Sequence, residues 1–137
     1  MSFDAERRAI EERLKAGWTR SDVYIVFDNV RSSRPEGQSW IRLTILNGSA
    51  RQADLANVMH RHTGVIDVGV FVPENTGTAI ARQIAGDVAA LFKRATFEAG
   101  SAGRIRTRVP SIIRRGNNDG WYQLNVSVEY WRDEPQT

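Results

Sequence analysis

The sequence predicts an α+β fold: a single domain over residues 1–137, with two helices packed on a largely antiparallel or mixed sheet in the order α-β-β-β-α-β-β-β. Three observations carry that prediction. Apolar residues recur at helical spacing in two segments, one near the start and one in the middle of the chain. Around them stand short runs that alternate apolar with polar residues, divided by Gly, Pro, Asn and Asp. No repeat, low-complexity tract or shift of composition marks a second domain, and 137 residues is an ordinary length for one. A chain of this length buries roughly two-thirds of the surface its unfolded form exposes, enough for a core without covalent staples.

The first helix opens at Ser2, a good N-cap, with Asp4 and Glu6 in the first turn near the positive end of the helix dipole. Phe3, Ile10 and Leu14 make a narrow apolar stripe, charged residues fill the rest, and Gly17 is placed to stop the helix. A helix this polar covers only one edge of a core. Val23, Ile25 and Phe27 alternate in a strand ending near Asn29, and residues 31–39 have the composition of a loop. Trp40 to Leu46 is the next strand, with Ile41, Leu43 and Ile45 on one face and Trp40, Arg42 and Thr44 on the other. Residues 47–62 begin with the turn signal Asn47-Gly48, are mostly polar and keep no period. They read as a long mobile loop, the drawn-out tip of a hairpin.

Thr63 to Val72 returns to strand, with Ile66, Val68, Val70 and Val72 on one face, until Pro73 ends it. The second helix follows. Ile80, Ile84, Val88, Leu91 and Phe92 recur at its spacing, Ala81 and Ala85 allow close packing, Thr76 or Thr78 caps its start, and Lys93 and Arg94 suit its end. Arg104–Val109 is a strand that breaks at Pro110, and Ser111–Arg115 resumes it before the turn Asn117-Asn118-Asp119-Gly120. Tyr122, Leu124, Val126, Val128 and Tyr130 then alternate in the longest period-two run of the chain, and the tail 133–137 is expected to fray.

Composition excludes several classes of function. Cysteine is absent, which removes disulfides, thiolate zinc sites, iron–sulfur clusters and a cysteine nucleophile. Hydrophobic residues at 41% and charged residues at 26% describe an ordinary globular chain, neither disordered nor membrane-embedded. No apolar run approaches the about 18 residues of a membrane span, and the opening residues carry no apolar signal segment, so the expected compartment is the cytosol or a particle assembled there. The net charge of +3 is too small to declare a nucleic-acid binder.

Catalytic patterns are sparse. His60 and His62 place two imidazoles on one side of an extended segment, a metal pair without a third ligand and with Arg61 between them; surface histidines at a strand entry are the favoured reading. Asp28 and Asp67 form a conceivable carboxylate pair, against which stand a loop position for the first and a solvent-facing one for the second. The nucleophile elbow, the Walker loop and the dinucleotide fingerprint are all missing. Asn75 to Thr78 opens a helix and offers N–H groups to an anion, although capping explains the same residues. No cofactor, no metal and no enzymatic activity is expected.

The arginines are more informative. Seventeen of the 19 basic residues are arginine, and Arg104, Arg106, Arg108, Arg114 and Arg115 stand between Glu98 and Asp119 with no acid among them. Alternation puts Arg104, Arg106 and Arg108 on one strand face, about 6–7 Å apart. A solvated outer face explains that row. So does a contact surface, where the planar guanidinium fork binds carboxylate or phosphate bidentately. Trp40, Trp121 and Trp131 lie opposite the main apolar rows, which marks either a partner surface or a second covered face.

Taken in order, the strand WIRLTIL with NGSARQADL, the stretch TGVIDVGVFVPENTGTAIARQIAGDVAALF and the closing NNDGWYQLNVSVEYW resemble the phage tail terminator-like proteins, the small minor-tail or tail-completion proteins of tailed phages and prophages. The resemblance implies a structural part: a homohexameric ring on the tail tube that stops its polymerisation and presents a surface to the head. It implies as partners other copies of the chain, the tail tube protein and a head–tail connector protein, with no membrane and no specific nucleic acid. It implies residence in the host bacterial cytoplasm during assembly and then in the virion tail. Arg51 in the 47–62 excursion, the arginines 104, 106, 108, 114 and 115, and Trp40 and Trp121 are the candidate subunit or tube contacts. A subunit of this kind can be monomeric in dilute solution, its loop ordering only on a neighbour. Two rivals remain. One is a small nucleic-acid-binding module using the arginine strand and exposed tryptophans. The other is a small enzyme using Asp28, Asp67 and the histidines, which requires a pocket that gathers them.

Overall fold

The computed structural model describes residues 2–30, 37–52 and 59–135. Helix α1 (Ser2–Gly17) leads to β1 (Tyr24–Phe27), β2 (Trp40–Gln52) and β3 (Met59–Pro73). Helix α2 (Ala79–Phe92), β4 (Thr96–Glu98), a 3-10 turn (Gly100–Ala102), β5 (Arg104–Thr107), β6 (Ser111–Asn118) and β7 (Trp121–Pro135) complete the chain. One mixed sheet holds all seven strands in the order β1-β2-β3-β7-β5-β4, with β6 also on β7. Only β1 and β2 are parallel; every other pair is antiparallel. The fold is the expected α+β domain, two helices on a mixed sheet.

Strands β3 and β7 form the spine. Fifteen residues of each pair without a break, from Met59 opposite Pro135 to Pro73 opposite Trp121. Because both alternate, one face of the pair presents Ile66, Val68, Val70 and Val72 beside Leu124, Val126, Val128 and Tyr130, all buried. Helix α2 lies on that face through Ala81, Ile84, Ala85, Val88 and Phe92. Complete burial of a Val, Leu, Ile or Phe side chain contributes about 1.5–3 kcal/mol, so this layer supplies most of the folding drive. Ile80 belongs to the expected stripe by spacing but is exposed, because Ala81 takes the inward position in the first turn. Helix α1 adds Ile10 and Leu14 of its expected stripe to the same core, whereas Phe3, the third member, stays exposed at the start of the helix beside His62.

Three parts differ from the sequence reading. The excursion at 47–62 is largely ladder: β2 runs to Gln52 and β3 starts at Met59, with a bulge between Asn47 and Ala50, while 53–58 lie outside the described residues. A polar hairpin arm has no apolar alternation to reveal it, even where, as at 59–62, it is half-buried. Likewise Asp133, Glu134 and Pro135 are the end of β7, paired with Arg61, His60 and Met59, and only 136–137 of the expected frayed tail lie beyond description. Strand β4 is additional; three residues are too few to show a period.

The outer edge of β7 is shared in succession. β5 pairs with its residues 130–133 and β6 with 121–127, and the break between them falls at Pro110, which has no N–H to give a ladder. Thr107 ties this edge to the core. Its buried hydroxyl donates to the carbonyl of Phe92, a last-turn oxygen of α2, and accepts from the Ala95 N–H at 2.7 Å.

Candidate functional site

The five clustered arginines lie along the β5–β6 edge. From Arg104, opposite Asp133, to Arg114, opposite Leu124, the line runs about 30 Å along β7. The acids absent from the local sequence arrive from adjacent strands. Glu98 of β4 faces Arg104 and accepts its Nε–H at 2.7 Å, and Glu129 of β7 lies 3.7 Å from Arg108, whose guanidinium also stands 4.7 Å from the Trp131 ring. Arg106 is half-buried opposite Trp131. Arg114 extends toward the Tyr122 ring at 5.9 Å, and Arg115 sits in the bulge between Arg114 and Gly116. Among the described residues neither Arg114 nor Arg115 has a carboxylate within ion-pair distance. Charge is therefore unmatched at the β6 end of the line, where Ile112 (43% exposed) and Ile113 (39%) also face water.

The tryptophans divide. Trp40 is 6% exposed and stacks on Phe71 at 3.9 Å with 7° between the planes, in a second small core with Val26. It is closed to a partner, because β1 adds Val26 on the face that β2 and β3 turn away from the helices. Trp121 is half-buried, edge-on to Trp40 at 5.9 Å, and covers the rim of that cluster. The tryptophan face is thus largely a covered face, and base stacking on Trp40 has no room. Arg51 places its backbone opposite Arg61 in the β2–β3 arm; its side chain lies outside the described residues.

The residues of the enzyme reading are not gathered. Asp67 lies on the face away from the helices, where the Asn125 amide donates to both its oxygens at 3.1 and 2.9 Å. Asp28 follows β1 beside a cleft of ≈ 260 Å³ lined by Phe3, Glu6, Arg7 and Ile45, on the helix face. His62 is 3.1 Å from Glu134 and edge-on to Phe3 at 5.3 Å. Among the described residues no group of three or more His, Asp or Glu side chains has the arrangement of a metal site, and no helix is long and apolar enough to cross a membrane.

A buried polar cluster is the main feature that sequence reasoning missed. Arg132 is fully buried and Glu6 is 2% exposed. Arg132 donates through Nε to Glu6 at 2.8 Å and through Nη1 to the Ala102 carbonyl at 3.0 Å and to Glu134 at 3.1 Å. The Asn47 amide donates to Glu6 at 2.9 Å and to the Tyr130 hydroxyl at 3.2 Å. Burial, then the Glu6 charge, pushes that hydroxyl well above its ordinary pKa. The signal was periodic: Arg132 continues the buried row 124-126-128-130, and Glu6 precedes Ile10 and Leu14 by four and eight residues on the inward stripe of α1. Beside this cluster Arg61 donates to both oxygens of Asp133, at 2.8 and 2.9 Å. That fork holds the carboxyl below its ordinary range against the opposing effect of burial.

The sequence model of one protein family, described as phage tail terminator protein, matches residues 7–130. A solved structure at 24% identity superposes with a TM-score of 0.78, covering 100% of this chain and 97% of that one; a likeness at that identity concerns the fold alone. No curated protein matches the sequence.

Proposed function

We propose that this chain, which belongs to the phage tail terminator family, closes with copies of itself into a ring on the end of a tail tube, stops the growth of the tube and offers the head its joining surface. The observation that carries the reading is the family match, which runs from Arg7 to Tyr130 and so takes in most of α1, all of α2 and β3, and β7 as far as Tyr130. The family is structural rather than enzymatic, and the scattered positions of Asp28, Asp67 and His62 support the same role for this chain. Its partners are further copies, the tube protein and a head–tail connector, and six copies is the ring size we propose. It is made in the host cytoplasm and ends in the virion tail. Arginine suits such a role, because a ring subunit needs two different surfaces that fit head to tail, and the β5–β6 edge supplies a cationic one.

Concentrated protein viewed by electron microscopy is expected to show rings, and phage lacking the chain to carry overlong tails. Charge reversal at Arg106 and Arg108 is expected to impair both ring formation and length control. Wild-type rings and tail lengths in that variant would remove these arginines from the contact.

A further inference from the structure

We propose that the open edge of β6 in one copy pairs antiparallel with the open edge of β1 in the next, so that the sheet continues from copy to copy around the ring. This rests on the ring reading above and names the contact that closes it. The two edges end the same cross-strand rows: Phe27–Leu43–Val68–Val126–Ile112 is one, and Val26–Arg42–Gly69–Asn125–Ile113 the next. Five strands at the usual spacing put the edges about 19 Å apart, at the same height and facing opposite ways. That is the disposition of a head-to-tail contact. Strand direction agrees with it. β1 runs with β2, and three antiparallel steps through β3 and β7 leave β6 running against β1. A copy rotated about an axis along the strands keeps its directions, so β6 meets the neighbour's β1 antiparallel.

Among the described residues neither edge carries a neighbouring strand: β6 pairs only with β7 and β1 only with β2. Tyr24 donates its N–H to Ser39, so by alternation Val23, Ile25 and Phe27 turn their backbone groups away from β2. The Val23 carbonyl accepts from the Trp18 indole and the Phe27 carbonyl from the Val30 N–H, which leaves the Ile25 N–H and carbonyl and the Phe27 N–H to receive a strand. The third edge, β4, offers three residues, and its Glu98 is already held by Arg104. Charge selects among the partners open to β6. Exposed Asp22 and Asp28 bracket β1, the former 3.5 Å from Arg20, whereas β6 carries Arg114 and Arg115 without a carboxylate. Two β6 edges meeting about a two-fold axis would crowd four guanidiniums together, whereas β6 on β1 sets Arg114 at the height of Ile25, between Asp22 and Asp28. Ile112 and Ile113 would lose their exposure in the same step.

The chain has no cysteine, so introduced thiols are the only ones present. Asp28→Cys and Ser111→Cys place one on each exposed edge, at the ends of neighbouring rows. At a concentration where electron microscopy shows rings, a short bismaleimide is expected to join the two single variants when mixed and neither variant to itself. The double variant is expected to give a ladder ending at the ring's copy number. Reversing Arg114 and Arg115 to Glu is expected to lower the linked fraction about tenfold. Rings without the mixed cross-link overturn the β6–β1 contact and leave the ring reading standing, and Ser111→Cys linking to itself overturns it in favour of a two-fold dimer. Absence of both rings and cross-links at every concentration overturns the ring reading together with the contact.

Discussion

Glu6 and Arg132 stand 126 residues apart in the chain and 2.8 Å apart in the fold. Desolvating both charges costs several kcal/mol each, and their mutual attraction with the hydrogen bonds from Asn47 and to Ala102 and Glu134 offsets that cost. Removing one partner is therefore worse than removing both. Arg132→Leu is expected to cost about 3–5 kcal/mol in urea unfolding, and Glu6→Leu/Arg132→Leu together less than the sum of the two single changes. Asp133 gives the pH dependence. Its folded pKa lies below the unfolded one because Arg61 holds the carboxylate, so its stabilisation is full above the unfolded carboxylate pKa of about 4 and lost as pH falls through the lower folded value. Arg61→Gln is expected to flatten the acid limb of a stability–pH curve and leave the neutral-to-alkaline limb parallel to wild type. These side chains were hard to find in sequence for a simple reason: charges at positions 6 and 132 interrupt apolar rows, and a row read by hydrophobicity stops where a buried charge begins.

Elements were legible in proportion to how one-sided their burial is. The alternation at Ile66–Val72 and Leu124–Tyr130 and the stripe of α2 were visible because each has one wet face and one dry face. The polar arm of β2 and β3 beyond Asn47 and the three-residue β4 had no such contrast, and the second core under Trp40 arises because β1 adds Val26 beside Phe71. Backbone form sets two further expectations. Gly103 has φ +88, and a Cβ there would meet the Asp133 carbonyl, so Gly103→Ala is expected to lower stability by at least the about 1–3 kcal/mol of strain that such a conformation stores. Gly86 is exposed within α2, where a Cβ would meet open space, so Gly86→Ala is expected to raise stability by about 0.5–1 kcal/mol and the melting temperature with it.

At the scale of the whole molecule the candidate site was half legible. The arginine block announced a cationic edge, but pairing belongs to neighbours in space, and Glu98 and Glu129 reach it from other strands. What remains unmatched is the β6 end, so assembly is expected to weaken steeply with salt while unfolding stays almost unchanged, a contrast that sedimentation and thermal melts in one salt series would measure. The position of β7 carries a consequence for how each subunit comes into being. It lies between β3 on one side and β5 and β6 on the other, yet it follows all of them in sequence. During synthesis every other strand leaves the ribosome before the one that joins them, and until then the edge of β3 that receives β7 stands open. Arg132, the anchor for α1, comes later still. A subunit therefore completes its fold only once β7 has emerged, and a nascent chain cut before Trp121 is expected to be protease-sensitive throughout and to seed no ring.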